Sequence, residues 1–270
     1  ELPKRRARDA GPQEAWLHRP SHPRPPDDLS RRLDRSRLPG GARLKAATLR
    51  SVPFRRVSSD RTFAIDVAGT VLELSSHMLL RQLFDKESST YTYLVADPVS
   101  GDAALIDPVK EQLDRDLTLL RELGLTLRWV LETHVHADHV TAAGALRERT
   151  GAKTAASATG APCVDLPLAD GDTIAVGAIS IRAIATPGHT DDGMCFLANG
   201  HVFTGDTLLI RGCGRADFQN GNPSQLYRSI TQVLFALPSD TVVYPAHDYK
   251  GNMRSSIGEE IAHNPRVSGK

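Results

Sequence analysis

Thr133-His134-Val135-His136-Ala137-Asp138-His139 sets four ligand-type side chains within six residues of a chain that holds ten histidines. A lone His-x-His pair arises often by chance. The fuller spacing His-x-His-x-Asp-His does not, because it aims imidazole and carboxylate donors at one small volume. That mixture suits zinc or iron and not calcium or magnesium, whose sites are built from oxygen. The run needs a strand to deliver it and a loop to curl it, and the residues before it supply both. Positions 125–132 (LTLRWVLE) read as a strand ending at the loop, and 141–150 as the helix that leaves it.

Outward from this run the pattern repeats. Positions 91–96 alternate aromatic and β-branched residues, as a half-buried strand does, and 103–106 form the next strand, stopped by Asp107-Pro108. Leu113, Leu117 and Leu120 have helical spacing over 111–123, with Gly124 placed to close the helix. After Gly151 short strands return at 173–176, 179–185, 194–197 and 202–204, the last two joined by the hairpin signal Asn199-Gly200. Asn222-Pro223 opens a helix expected to run to about 237, and 241–244 is a last strand. Metal-type residues recur where strands end: Asp107, His134, His189, Asp206 and His247. Strands and helices in this alternation predict α/β layers with a site at the strand ends.

The chain of 270 residues is 40% hydrophobic, enough for one sizeable core, and it has no apolar run near 18 residues, so no membrane span is expected. Its net charge of +1 hides two opposed parts. Residues 1–61 hold 16 Lys and Arg against 7 Asp and Glu; the rest holds 17 against 25, giving +9 and −8. The basic part is rich in proline and has no sustained apolar period, so 1–61 is expected to be a disordered or targeting extension, with 62–270 as the folded domain. An organelle leader is one reading of 1–61, and an untranslated or mispredicted extension is the other. Acidic residues Glu14, Asp27, Asp28 and Asp34 weigh against the leader. The folded part lacks a basic face with interleaved aromatics, so nucleic acid is not expected as a partner. Cys163, Cys195 and Cys213 form no paired framework, which fits a reducing compartment.

The motifs THVHADH, TPGHT, FTGDT and YPAHD, in this order, resemble the metallo-β-lactamase fold superfamily. Within it the closest resemblance is to the persulfide dioxygenases, carried by LLRQLFDKESSTYTYLVAD at 79–97, LIDPV at 105–109, LLIRGCGRADFQNG at 208–221 and PAHDYKG at 245–251. The resemblance implies an αββα sandwich with the metal site at one edge of the two sheets. It implies one Fe(II) per chain, held by His134, His189 and Asp206, and oxidation of glutathione persulfide by O₂ to sulfite and glutathione. Two histidines and one carboxylate with open positions are the set used by non-haem Fe(II) oxygenases. His136, Asp138, His139 and His247 then correspond to a second metal site that is normally empty in this family, and they are expected to orient waters and ligands instead. Arg215 and Tyr249 are expected in the glutathione subsite, since a planar guanidinium suits the tripeptide's carboxylates. Cys213, between two glycines, is either a redox-sensitive thiol or a small packing residue. By analogy a homodimer and a mitochondrial matrix location are implied, with the cytoplasm as the alternative location.

Two other readings stand beside this one. A glyoxalase II-like hydrolase of S-acyl glutathione would use the same ligand types around two metals. A non-catalytic metal- or thiol-binding paralogue would keep the fold and lose the chemistry. The family's pattern continues beyond the Asn264-Pro265-Arg266 run, so the domain is expected to be truncated at its C-terminus, with glutathione affinity as what suffers.

Overall fold

The computed structural model describes residues 62–65, 71–74 and 78–267. The expected extension 1–61 lies outside the described residues. A short antiparallel hairpin pairs β1 (Thr62–Ile65) with β2 (Val71–Leu74). The rest is two six-stranded sheets. The first is built from β3 (Leu79–Asp85), β4 (Thr90–Ala96), β5 (Asp102–Ile106), β6 (Thr126–Leu131), β7 (Lys153–Ser157) and β8 (Leu166–Leu168), in that order across the sheet. The second has β9 (Thr173–Val176), β10 (Ile179–Ala185), β11 (Met194–Ala198), β12 (His201–Gly205), β13 (Val242–Pro245) and β14 (Ser255–Ser256), stacked in sequence order.

Side chains alternate across each strand, so each sheet has two faces to bury. Tyr91, Tyr93 and Val95 of β4 turn inward to a core shared with Ile181, Phe196, Phe203 and Tyr244 of the second sheet. The ring of Tyr93 lies 5.0 Å from that of Phe203 and 5.5 Å from that of Tyr244, stitching the sheets together. Leu94 and Ala96 turn the other way, onto Leu120 of α1 (Leu113–Glu122) and Leu146 of α2 (Ala143–Thr150). On the far side, Val202 and Val243 pack against Leu226 of α3 (Pro223–Arg228) and Ile257 of α4 (Ile257–His263). These four layers are the αββα sandwich. The helices correct one expectation: every residue of β4 is buried, so the strand is covered on both faces and not half-buried.

Local chemistry explains most boundaries. Asn199 and Gly200 both have positive φ (46° and 75°), as the tight turn between β11 and β12 requires. The Asn222 side chain accepts a hydrogen bond from the Gln225 N–H and Pro223 starts α3. The expected single helix from 222 to 237 is instead broken. It widens to a π turn over Ser229–Val233 and tightens to a 3₁₀ turn over Leu234–Ala236. Thr231 donates to the Tyr227 carbonyl four residues back, so a hydroxyl competes with the helix's own ladder, while Ser229 donates outside the helix to the Pro187 carbonyl.

A carboxylate ties the two sheets at their far edge. Asp97, in the β4–β5 turn, accepts hydrogen bonds from Val99 N and, across the sandwich, Ala178 N, each 2.9 Å. Burial pushes its pKa up, but these N–H donors outweigh burial and hold it below the usual carboxylate range. A depressed folded-state pKa contributes stability above the unfolded value of about 3.9, lost as pH falls through the lower folded value. Asp97→Asn is therefore expected to cost about 1–3 kcal/mol at pH 7. The difference from wild type should shrink at pH 3, as urea unfolding at both pH values would show.

Candidate metal centre

The strands β5, β6, β10, β12 and β13 end at one edge of the sandwich, and each hands a site residue to the loop that follows. β5 gives Asp107, β6 gives Glu132 to His134, β10 leads to His189, β12 to Asp206 and β13 to His247. Backbone demands are strict here. Gly205 has φ +51°, and a Cβ on it would lie 2.5 Å from the Thr133 hydroxyl. Gly188 has φ +140° and packs against the backbone of Leu226, with a Cβ reaching 2.2 Å from its nitrogen. Glycine lets the strand ends on the two sheets approach closely enough to converge their side chains.

Donor atoms of His134, His189 and Asp206 all lie within 4.8 Å of one another. His189 Nε2 is 3.4 Å from Asp206 Oδ2. The tautomers are fixed from behind. His189 Nδ1 donates to the Arg215 carbonyl at 2.6 Å, which leaves Nε2 as the lone-pair nitrogen facing the cluster. For His134 the fixing is a relay. The Thr133 hydroxyl donates to Asp107 Oδ2 (2.8 Å), so its lone pair faces His134 Nδ1 (3.0 Å) and accepts that N–H. Asp107 Oδ1 also accepts the Thr133 N–H at 2.7 Å. Asp107 itself has φ +51°, an unusual conformation for a residue other than glycine. Burial holds the His134 pKa well below the usual histidine range, helped by the neighbouring His136 and His189, so His134 is neutral, the form that binds metal.

The other predicted residues surround this trio. His136 turns its Nε2 away, to Asp107 Oδ1 (3.2 Å) and Glu132 Oε2 (3.3 Å). Burial would lower its pKa, but the two carboxylates outweigh burial and raise it well above the usual range. Asp138 receives His139 Nδ1 at 2.9 Å and the Thr90 hydroxyl at 3.0 Å. His247 Nδ1 donates to the Ser89 carbonyl, and its Nε2 faces Asp206 Oδ1 (3.5 Å) and Asp138 Oδ2 (3.6 Å). His136, Asp138 and His139 also bring donor atoms within 4.8 Å of one another. Among the described residues, Asp206 Oδ1, His136 Nδ1 and His139 Nε2 are buried without a hydrogen-bond partner. Buried polar atoms are rarely left so, and a cation held between two imidazoles and a carboxylate would satisfy Asp206.

The residues expected to bind substrate fare differently. The Arg215 guanidinium is turned outward and pairs with Asp217 at 2.8 and 3.0 Å, so it is the backbone carbonyl of Arg215 that touches the cluster. Tyr249 is 75% exposed, with its ring stacked on His247 at 5.9 Å. Cys213 is half-buried beside a cavity of about 290 Å³ lined by Leu226, Ile230, Arg266 and Val267. Burial raises its thiol pKa, with Arg266 opposing. Sequence reasoning missed Thr133, Glu132, Asp192 and Ser89. Asp192, which accepts the Val135 N–H at 2.8 Å, lies 57 positions from its partner, and no local spacing signals it.

The chain belongs to the metallo-beta-lactamase superfamily, whose family model matches residues 85–162 and 164–247. Within that superfamily the similarity narrows to the persulfide dioxygenases. The chain is 46% identical to human "Persulfide dioxygenase ETHE1, mitochondrial" over 194 residues, covering 71% of this chain and 76% of that protein. The bovine protein of the same name is 44% identical over 75% of this chain and 85% of its own. A crystal structure of ETHE1 from Myxococcus xanthus superposes with TM-score 0.71 at 60% identity, covering 72% of this chain and 86% of that one.

Proposed function

We propose that the chain is a persulfide dioxygenase that uses one Fe(II) to oxidise glutathione persulfide with O₂ to sulfite and glutathione. The observation that carries the reading is the converging His134–His189–Asp206 trio, in a chain 46% identical to a persulfide dioxygenase. The balanced reaction consumes one O₂ and one water per persulfide: GSSH + O₂ + H₂O gives GSH, sulfite and two protons. Fe(II) held by two imidazoles and a carboxylate supplies open positions and the electron transfer that O₂ requires. The protein's part is to hold three donors in place. The Asp107–Thr133 relay keeps the His134 Nε2 lone pair exposed, and the Arg215 carbonyl does the same for His189. Nearby His136, Asp138, His139 and His247 orient the site's polar groups. Arg215 and Tyr249 recognise glutathione, which requires the Arg215 guanidinium to exchange Asp217 for a substrate carboxylate. The word "mitochondrial" in the names of the human and bovine relatives, with the Arg-rich 1–61, supports a matrix location for this chain.

A second reading has its own observation. His247 Nε2 faces two carboxylates at 3.5 and 3.6 Å, a gap that a second metal would bridge as well as a proton. Two metals would favour hydrolysis of S-acyl glutathione through a bridging hydroxide. Metal analysis and paired assays separate the two. Protein loaded anaerobically with iron is expected to hold one metal and to release sulfite from glutathione persulfide. Two metals per chain with cleavage of S-lactoylglutathione would favour the hydrolase.

A further inference from the structure

The loop that follows Asp206 is held at its far end by a buried ionic clamp. Arg211 sits at φ +57° at the tip of a tight turn, in which Leu209 and Gly212 exchange backbone hydrogen bonds. Its backbone N–H reaches Glu260 Oε2 at 2.9 Å and its guanidinium reaches Glu260 Oε1 at 2.6 Å, with a further contact to Glu259. Glu260 is fully buried and also accepts from the Ser255 hydroxyl and from Asn264 Nδ2. Asn264 Nδ2 reaches back to the Gly212 carbonyl at 2.9 Å. Such a carboxylate, with four donors, is a rigid point in the fold.

The near end of the same loop touches the metal centre twice. Gly214 N donates to the Asp206 carbonyl at 2.8 Å, and the Arg215 carbonyl accepts His189 Nδ1. Only two residues, Gly212 and Cys213, separate the clamp at Arg211 from that contact at Gly214. Gly214 leaves no slack, because a Cβ there would lie 2.3 Å from the Asp206 carbonyl oxygen and 2.8 Å from His189 Nδ1.

We propose that Arg211 and Glu260 are positioning residues of the metal centre: the α4 clamp sets where the Arg215 carbonyl stands, and thereby the orientation of His189. The inference rests on the assignment of His189 as a metal ligand. Among the described residues, the polar contacts of Arg211 and Glu260 do not include His134, His189 or Asp206, so the effect travels through the loop backbone.

Cobalt(II) titration of the metal-free protein tests this, with affinity and the visible absorption of the bound ion as readouts. Glycine accepts φ +57° freely, so Arg211→Gly keeps the turn and removes the guanidinium. Its Co(II) affinity is expected to fall about 10- to 100-fold, with an altered spectrum, while circular dichroism stays native. Arg211→Lys, which keeps a cation opposite Glu260, should recover part of the affinity. If Arg211→Gly does not fold, Arg211→Lys alone is expected to show a smaller loss and the same spectral change. Folded variants that bind Co(II) with wild-type affinity and spectrum would overturn the clamp. Wild-type protein that takes up no Co(II) would instead overturn the metal assignment on which it rests.

Discussion

Asp206→Ala is expected to leave a folded protein without its metal or its activity. The side chain contributes little to the fold: Oδ1 is buried without a hydrogen-bond partner, and the backbone carbonyl keeps its bond from Gly214 N. Removing an unsatisfied buried acceptor relieves a cost, so the thermal midpoint of the metal-free protein should be unchanged or raised. On the proposed assignment, by contrast, the metal loses its one anionic ligand in the trio. Iron retained after dialysis should fall below stoichiometry, and persulfide oxidation by at least about a hundredfold, the upper end of what changes behind the ligands cause. Measuring iron content, sulfite production and thermal unfolding on one preparation checks all three. A normal iron content would mean that Asp206 is not a ligand.

The second large effect is placed behind the ligands. Asp107→Asn keeps the size of the side chain and its tolerance of positive φ, and the Asn oxygen can still accept the Thr133 N–H. Its amide cannot accept the Thr133 hydroxyl. That hydroxyl then turns to donate to His134 Nδ1, which puts the imidazole proton on Nε2 and blocks the nitrogen meant for the metal. Metal affinity is expected to drop about 10- to 100-fold, more than stability would explain. Asp107→Ala is expected to do worse, by about 3–5 kcal/mol in urea unfolding, since it strips a buried partner from His136 as well. The pH dependence has a definite sign. The His136 pKa is raised in the fold, so its stabilisation is complete below about 6.5, the unfolded value, and disappears as pH rises through the higher folded value. The stability gap between wild type and Asp107→Ala in the metal-free state should narrow in the same direction.

Much of this was legible in the chain itself, for physical reasons that can be named. Period-two patterns at 173–176 and 179–185 gave strands with those limits, because one side of each is exposed and the alternation survives. β7 and β8 escaped notice: Lys153–Ser157 is rich in alanine and Leu166–Leu168 contains a proline, tolerated because β8 is an edge strand. β14 and α4 fall between the PAHDYKG and Asn-Pro-Arg runs and carry too short a pattern to read. The convergence of His134, His189 and Asp206 was legible because each sits in a short motif at a strand end. The groups that orient them were not. Thr133 and Asp107 are 26 positions apart, and His189 and the Arg215 carbonyl likewise, so only the fold pairs them. Arg215 illustrates the limit: its side chain suggested a substrate contact, while its backbone is what reaches the cluster.

Oxygen uptake by iron-loaded protein supplied with glutathione persulfide, with sulfite and iron measured in the same sample, tests the central claim most directly. One O₂ consumed per sulfite formed, at about one iron per chain and abolished in Asp206→Ala, is the predicted result. Absence of oxygen uptake in protein that carries its full iron would contradict it.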